Sequence, residues 1–234
     1  MSSQVLERLA ENLWVASRNL PLAVGDVGAR MTVIRVAGEL LLHSPVSLDA
    51  PLRSQLETLG RVRWLVAPNK VHSLFMGEAA RAYPEAELFA APGLAEKRKD
   101  LSFQHVLQDG APGPWGRDVE HLCFEGVPTL NEVVFLHRPS RTLVLTDLAF
   151  HVERGAPNRA RAFHWLVGAV GRFGPHRLVR MMIRDRAAAR RSRDRVLAWD
   201  FERVVVSHGS VLEHGGHARC AEAFAFLGPS PAAG

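Results

Sequence analysis

Four residues in this chain have the types and settings to gather one metal ion: His43, His72, Asp147 and His208. Each stands at the end of a predicted strand or just beyond it. The strands are ELLLH up to His43, VRWLVA before Pro68, TLVLT before Asp147, and RVVVS before His208. Three imidazoles and one carboxylate suit zinc, which takes tetrahedral nitrogen and oxygen ligands and in a catalytic site keeps one position for water. Iron or manganese accepts such a set too. The spacings are long and irregular, and each residue also has a plainer role open to it. His43 fits a buried histidine bonded to the backbone, and His72 a residue at a helix entry. Asp147 fits a cap on the turn after its strand, and His208, followed by Gly209, a structural turn. Glu132 and His137 lie five apart in one predicted strand, so they face opposite sides and cannot both line a site. His214 and His217 follow in a histidine-rich loop, either as surface residues or as a closure of the pocket. Cys123 and Cys220 form no CxxC pair, which argues against a cysteine zinc site and a disulfide framework.

The elements that must position these residues can be read from apolar runs and their breakers. Strands are predicted at residues 12–17, 31–36 and 39–43, the last two joined by a tight turn at Ala37-Gly38. Leu52, Leu56 and Leu59 recur with helical period, placing a helix over 52–59. A strand over 62–67, a helix over 73–82 and a strand over 87–90 follow, each closed by a proline or a Pro-Gly pair. The second half supplies strands over 119–124, 132–137 and 142–146. Helical stretches are predicted over 161–172 and 178–199, separated by Gly174-Pro175, then a strand over 203–207 and a final helix over 216–227. Two halves with strands first and helices after give an α+β fold, a four-layer αββα sandwich. The rival is a doubly wound parallel sheet, which would need a glycine-rich turn after its first strand, and no GxGxxG occurs.

An ordered series of landmarks resembles the metallo-β-lactamase superfamily. Glu39–Ser44 is similar to its early strand, Trp64–His72 to the strand leading into HxHxDH, Gly126–Phe150 to the strand pair ending in Gly-Asp, and Val204–Gly209 to the late strand that delivers the last histidine ligand. APNKVH, NEVVFLHRPSRTLVLTD and VVVSHG further resemble an uncharacterised bacterial family of metallo-β-lactamase-like proteins. The resemblance implies a site in which His72, Asp147 and His208 are retained, with His43 beside them where a second-shell aspartate is usual. HxHxDH itself is absent: Pro68, Asn69, Lys70, Val71, His72 and Ser73 stand in its place, and Gly126-Val-Pro-Thr replaces the later glycine-histidine turn. The metal signature is thus eroded, and one ion is expected rather than two. Asn69 and Lys70 occupy the ligand loop. Lys70 either pairs with Asp147 and balances its buried charge without metal, or points to solvent.

Three functions follow as expectations. The first is a hydrolase with a single zinc, iron or manganese ion, acting on an ester, lactone, amide or phosphoester, with Asp147 or a neighbour as base. The second is a non-catalytic, metal-free relative that binds a small molecule or a protein. The third, nucleic-acid binding, is suggested by a net charge of +5 and by the arginines between Arg172 and Arg195. It ranks last because no aromatics interleave with those arginines. They are expected on a solvated helix face, with Leu178, Met182 and Val196 turned inward. The 234 residues, 47% hydrophobic, suffice for one domain over 1–228, with 229–234 as a disordered tail. No apolar run approaches the roughly 20 residues of a membrane span. The start, MSSQVLERLAENLWVAS, does not read as a secretory signal, so a cytoplasmic location is expected.

Overall fold

The computed structural model describes residues 5–154 and 161–229, with the side chains of 161–163 left aside. Residues 230–234 of the expected tail lie outside the described residues. Two separate sheets carry the fold. Strands β1 (Glu7–Ala10), β2 (Leu13–Arg18), β5 (Ala29–Val36), β6 (Glu39–His43), β7 (Arg61–Ala67), β8 (Glu87–Ala90) and β9 (His105–Val106) form the first sheet in that order. A small hairpin of β3 (Pro21–Leu22) and β4 (Gly25–Asp26) stands apart from it. Strands β10 (Val119–Cys123), β11 (Val133–His137), β12 (Thr142–Val144) and β15 (Arg203–Val205) form the second. A third pair joins β13 (Phe150–Val152) to β14 (Arg172–Gly174).

Side-chain alternation explains why the sheets stack. In β6, Leu40 and Leu42 point to one face and pack with Leu52 and Leu56 of α1 (Ala50–Leu59) and with Met76 and Ala79 of α2 (Met76–Ala82). Leu41, between them, faces the other way and meets Trp64, Val66, Val133, Phe135, Val144 and Val205. That inter-sheet core makes these strands apolar on both faces, hence their uninterrupted runs. The outer face of the second sheet packs under α5 (Arg186–Leu197) and α6 (Gly216–Phe224), through Ala189, Val196, Cys220 and Phe224. Helix, sheet, sheet and helix are the four expected layers, and the doubly wound alternative is ruled out. No helix among the described residues is long and apolar enough to cross a membrane.

The arginine-rich region departs from expectation. The helix predicted over 161–172 ends early, as α3 (Arg161–Leu166), and Arg172 opens β14 instead. The helix predicted over 178–199 is two, α4 (Arg177–Met182) and α5. The break is tertiary in origin. The amides of Arg184 and Asp185 both donate to the carbonyl of Gly126, and Asp185 then caps α5 by accepting from Ala188 N. Gly126, at φ +84°, permits this approach: a Cβ there would lie 2.2 Å from the Asp185 carbonyl oxygen. Val179, rather than Leu178, turns inward; Leu178 is exposed.

Candidate metal centre

Parallel pairing sets the site. β6 runs parallel to β7, and β12 parallel to β15, so within each pair the C-terminal ends lie at one edge of the sheet. From those four ends come His43, the 69–72 loop, Asp147 and His208. His72, Asp147 and His208 are brought together: each offers a ligand atom, and these atoms lie within 4.8 Å of one another. His72 Nε2 and His208 Nε2 each stand 3.2 Å from the same carboxylate oxygen, Asp147 Oδ1. Two ligands on a tetrahedral zinc, each at about 2.0–2.1 Å, lie roughly 3.3 Å apart. Both histidine–carboxylate distances match that separation, and the three groups together could hold one ion.

The surroundings fix both imidazoles. His208 Nδ1 faces the carbonyl oxygens of Gly28 (3.0 Å) and Val27 (3.2 Å), which can only accept, so Nδ1 carries a proton. His72 Nδ1 is 2.7 Å from the Ser44 hydroxyl. Oriented partners on the far nitrogen are how metal-ligating histidines are held. Phe150 stacks on the His208 ring at 4.8 Å. Burial by itself would raise the Asp147 pKa, but the charges and N–H groups of His72 and His208 outweigh it and hold it well below the usual carboxylate range. Burial pulls the His72 pKa down, but Asp147 beside it raises it above the ordinary value.

Asn69 organises the loop. Its Oδ1 accepts from the amides of Val71 and His72, both at 2.7 Å, closing a turn that aims His72 inward. Its Nδ2 reaches Asp147 Oδ2 (2.8 Å), Thr146 Oγ1 (2.9 Å) and Glu132 Oε2 (3.1 Å). Lys70 does not pair with Asp147. Its Nζ donates to the Pro128 carbonyl in an exposed setting outside the cleft, so of its two readings the pairing falls away, and the group beside Asp147 is the neutral amide of Asn69.

Glu132 was not singled out as a site residue, yet the site hangs on it. It is buried, and it accepts from the amides of Thr146 (2.7 Å), Asp147 (2.7 Å) and Leu148 (3.1 Å) as well as from Asn69. Burial, and next the Asp147 charge, raise its pKa above the ordinary carboxylate value, against the opposing pull of the Thr146 and Asp147 donors. Four donors converging on its two oxygens hold it as an acceptor. Its one sequence signal is a lone acid opening the apolar run VVFLH. His137, at the far end of that strand, bonds Ser140 instead. His214 is exposed and His217 bonds the Leu197 carbonyl, so neither borders the cleft.

His43 is corrected. It stands outside the group of converging ligand atoms. It shares the inter-sheet face with Leu41 and sits edge-on to Phe135 at 4.9 Å, with neither ring nitrogen hydrogen-bonded. The chain turns at Ser44, φ +55°, so the next residue, not His43, reaches His72. Burial, and next the His72 charge, push its pKa down to about 3. Unfolded, the same imidazole takes a proton near pH 6.5. A depressed pKa stabilises the fold at neutral pH. That stability is lost as pH falls from about 6.5 towards 3, at up to about 1.4 kcal/mol per pH unit. His43→Leu removes the unbonded nitrogens and this loss together. The expected outcome is unchanged metal content and a shallower fall in Tm between pH 7 and 5. Lost metal, or an equally steep acid limb, would return His43 to the ligand set.

A cleft of about 430 Å³ opens onto this centre. Asp147, His72, His208, His164, His176 and Ser44 supply its polar lining, and Val27, Phe75, Leu130, Phe150, Val179 and Met182 much of its apolar lining. Leu22, Val71, Leu74 and Leu178 are exposed and also line it.

Comparison with known proteins places this geometry. The family described as Domain of unknown function (DUF4336) matches residues 10–166. No curated protein matches the sequence. Among solved structures, the fold is similar to a metallo-β-lactamase from Pontibacter korlensis (TM-score 0.65, 13% identity, 94% of this chain and 97% of that one). It is also similar to one from Hirschia baltica (TM-score 0.64, 13% identity, 97% and 98%). A third is the metallo-β-lactamase FIM-1 from Pseudomonas aeruginosa in its mono-zinc form (TM-score 0.62, 13% identity, 94% and 93%). At such identities the likeness speaks for the fold alone. With the αββα sandwich on one side and the match over residues 10–166 on the other, the chain has the metallo-β-lactamase fold and belongs to the family described as Domain of unknown function (DUF4336).

Proposed function

We propose that this chain is a single-metal hydrolase of small neutral carbonyl compounds (esters, lactones or amides) that carry an apolar group. One observation carries the metal. His208 Nδ1 holds its proton between two carbonyl oxygens, so a neutral His208 directs the Nε2 lone pair at Asp147 Oδ1 from 3.2 Å. Two acceptors at that distance repel unless a proton or a metal cation joins them. A metal held by His72, Asp147 and His208 serves as that cation. Such an ion would supply a bound water of lowered pKa and a Lewis acid for a carbonyl oxygen. One ion is also what the mono-zinc relative holds by its description.

The other residues then take defined roles. Asp147 Oδ2, kept by Asn69, fixes the carboxylate so that Oδ1 alone faces both imidazoles. Ser44 keeps His72 in register. His176 accepts the Val179 amide on Nδ1 at 3.4 Å, which leaves its proton on Nε2. Burial pushes its pKa down to about 4, so at neutral pH it is an uncharged N–H donor in the cleft. Such a donor suits the negative charge that develops on a carbonyl oxygen. The apolar lining favours a hydrocarbon or aromatic substituent.

A second reading has its own observation. Asp147 already takes hydrogen bonds on both oxygens, so a protonated His208 satisfies the cluster as a metal-free binding site for a small molecule. Elemental analysis of tag-free protein separates the two, followed by reconstitution with zinc, iron(II) or manganese(II). The expected result is one metal per chain, together with hydrolysis of apolar esters or lactones above phosphoesters. Less than a tenth of an equivalent after reconstitution would sink the hydrolase; preferred phosphoester turnover would redirect its substrate class.

A further inference from the structure

A second concavity, of about 350 Å³, lies behind α4, which also walls the catalytic cleft through Val179 and Met182. Three elements each bring arginine to it: Arg172 from β14, Arg177 and Arg180 from α4, and Arg219 from α6. A close approach between β14 and α6 forms part of its wall, where a Cβ on Gly174 would lie 2.7 Å from that of Ala223. Arg180 is held in place, its Nε donating to the Pro175 carbonyl and its guanidinium lying 4.4 Å from the Phe226 ring centroid. Burial, and then the charge of Arg172, lower the Arg180 pKa, so these cations crowd one another. Among the described residues none of the four arginines makes a salt bridge within 4.0 Å, although the chain has partners for many others. Among the described residues Glu222 is the only carboxylate on the lining.

Like charges gathered from three elements around one hollow cost stability unless an anion joins them. Guanidinium groups match phosphate oxygens in geometry and bind them in bidentate fashion. We propose that this concavity is a binding site for a small organic phosphate, a mono- or diphosphate of metabolite size, separate from the metal centre. A hollow of about 350 Å³ has room for a compact ligand rather than for an extended polynucleotide.

The test is calorimetric titration with inorganic pyrophosphate in physiological salt, on the wild type and on an Arg172→Gln/Arg219→Gln variant. Both side chains are exposed and unpartnered, so the variant should keep its Tm; if it does not, the two single substitutions replace it. EDTA-treated wild type is titrated alongside, because pyrophosphate can also bind metal. The proposal expects saturable binding that survives EDTA and weakens at least tenfold in the variant. It is overturned by equal affinity in both proteins, by binding that disappears with EDTA, or by equal affinity for sulfate. It is overturned too if random-sequence DNA binds through these arginines while pyrophosphate does not.

Discussion

Asp147→Ala is expected to empty the metal centre while leaving the fold in place. Of the three candidate ligands Asp147 makes the polar contacts to both others, its Oδ1 meeting each imidazole at 3.2 Å. Without it two histidines remain, too few for a tetrahedral zinc with one open position. Outer partners of a ligand are worth 10–100-fold in affinity, so loss of the ligand itself should exceed about 100-fold. If the metal supplies several kcal/mol to the transition state, hydrolysis should fall by about 10³-fold or more. Stability should change far less. Asn69 keeps two of its Nδ2 acceptors, Thr146 Oγ1 and Glu132 Oε2. The His72 pKa is raised by Asp147 itself, and burial alone would lower it, so removing the carboxylate favours the uncharged ring there. Lys70, bonded elsewhere, adds no charge there. Metal content and Tm on this one variant decide it. Retained metal would place the ion elsewhere, and a fall in Tm above about 10 °C would make Asp147 structural.

What could be read in the sequence tracks how locally each feature is encoded. ELLLH and VRWLVA stand out because both faces of β6 and β7 are buried, between α1 and α2 on one side and the second sheet on the other. The start of α1 was placed two residues late, at 52, because the apolar period begins there; Asp49 caps the helix and Pro51 sits in its first turn. β1 was missed because ERLA is mostly exposed and pairs along one edge only. The helices between 161 and 199 were misjudged because the stop before α5 is a carbonyl from Gly126, distant in the chain. At the site, residue type and strand-end position, taken with the resemblance to the metallo-β-lactamase superfamily, pointed to His72, Asp147 and His208. They could not separate His43 from His72, because the choice rests on the backbone turn at Ser44. Glu132 was invisible as an anchor for a different reason. Its partners are main-chain amides 14–16 residues onward, and amides leave no mark in a sequence.

That anchor gives the largest expected loss of stability. Glu132→Ala should lower stability by about 4 kcal/mol, which for a chain of this size is a Tm drop of roughly 8–16 °C. The carboxylate serves Thr146 N through Oε1, and Asp147 N, Leu148 N and Asn69 Nδ2 through Oε2. Alanine leaves three buried amides of one turn without an acceptor, each worth about 1–3 kcal/mol when unmade, less what the turn recovers by relaxing. Glu132→Gln is the sharper variant. Its carbonyl oxygen still serves one side of the turn, while its NH₂ is forced against donors on the other, so about half the loss is expected. The turn it grips carries Asp147, so the glutamine variant should also weaken metal binding by about 10–100-fold while the chain still folds. Thermal melts and metal titration on the two variants check this. Melting temperatures within 2–3 °C of wild type for Glu132→Ala would show that the turn stands without its carboxylate. Unchanged metal affinity in Glu132→Gln would show that Asn69 alone is enough to aim Asp147.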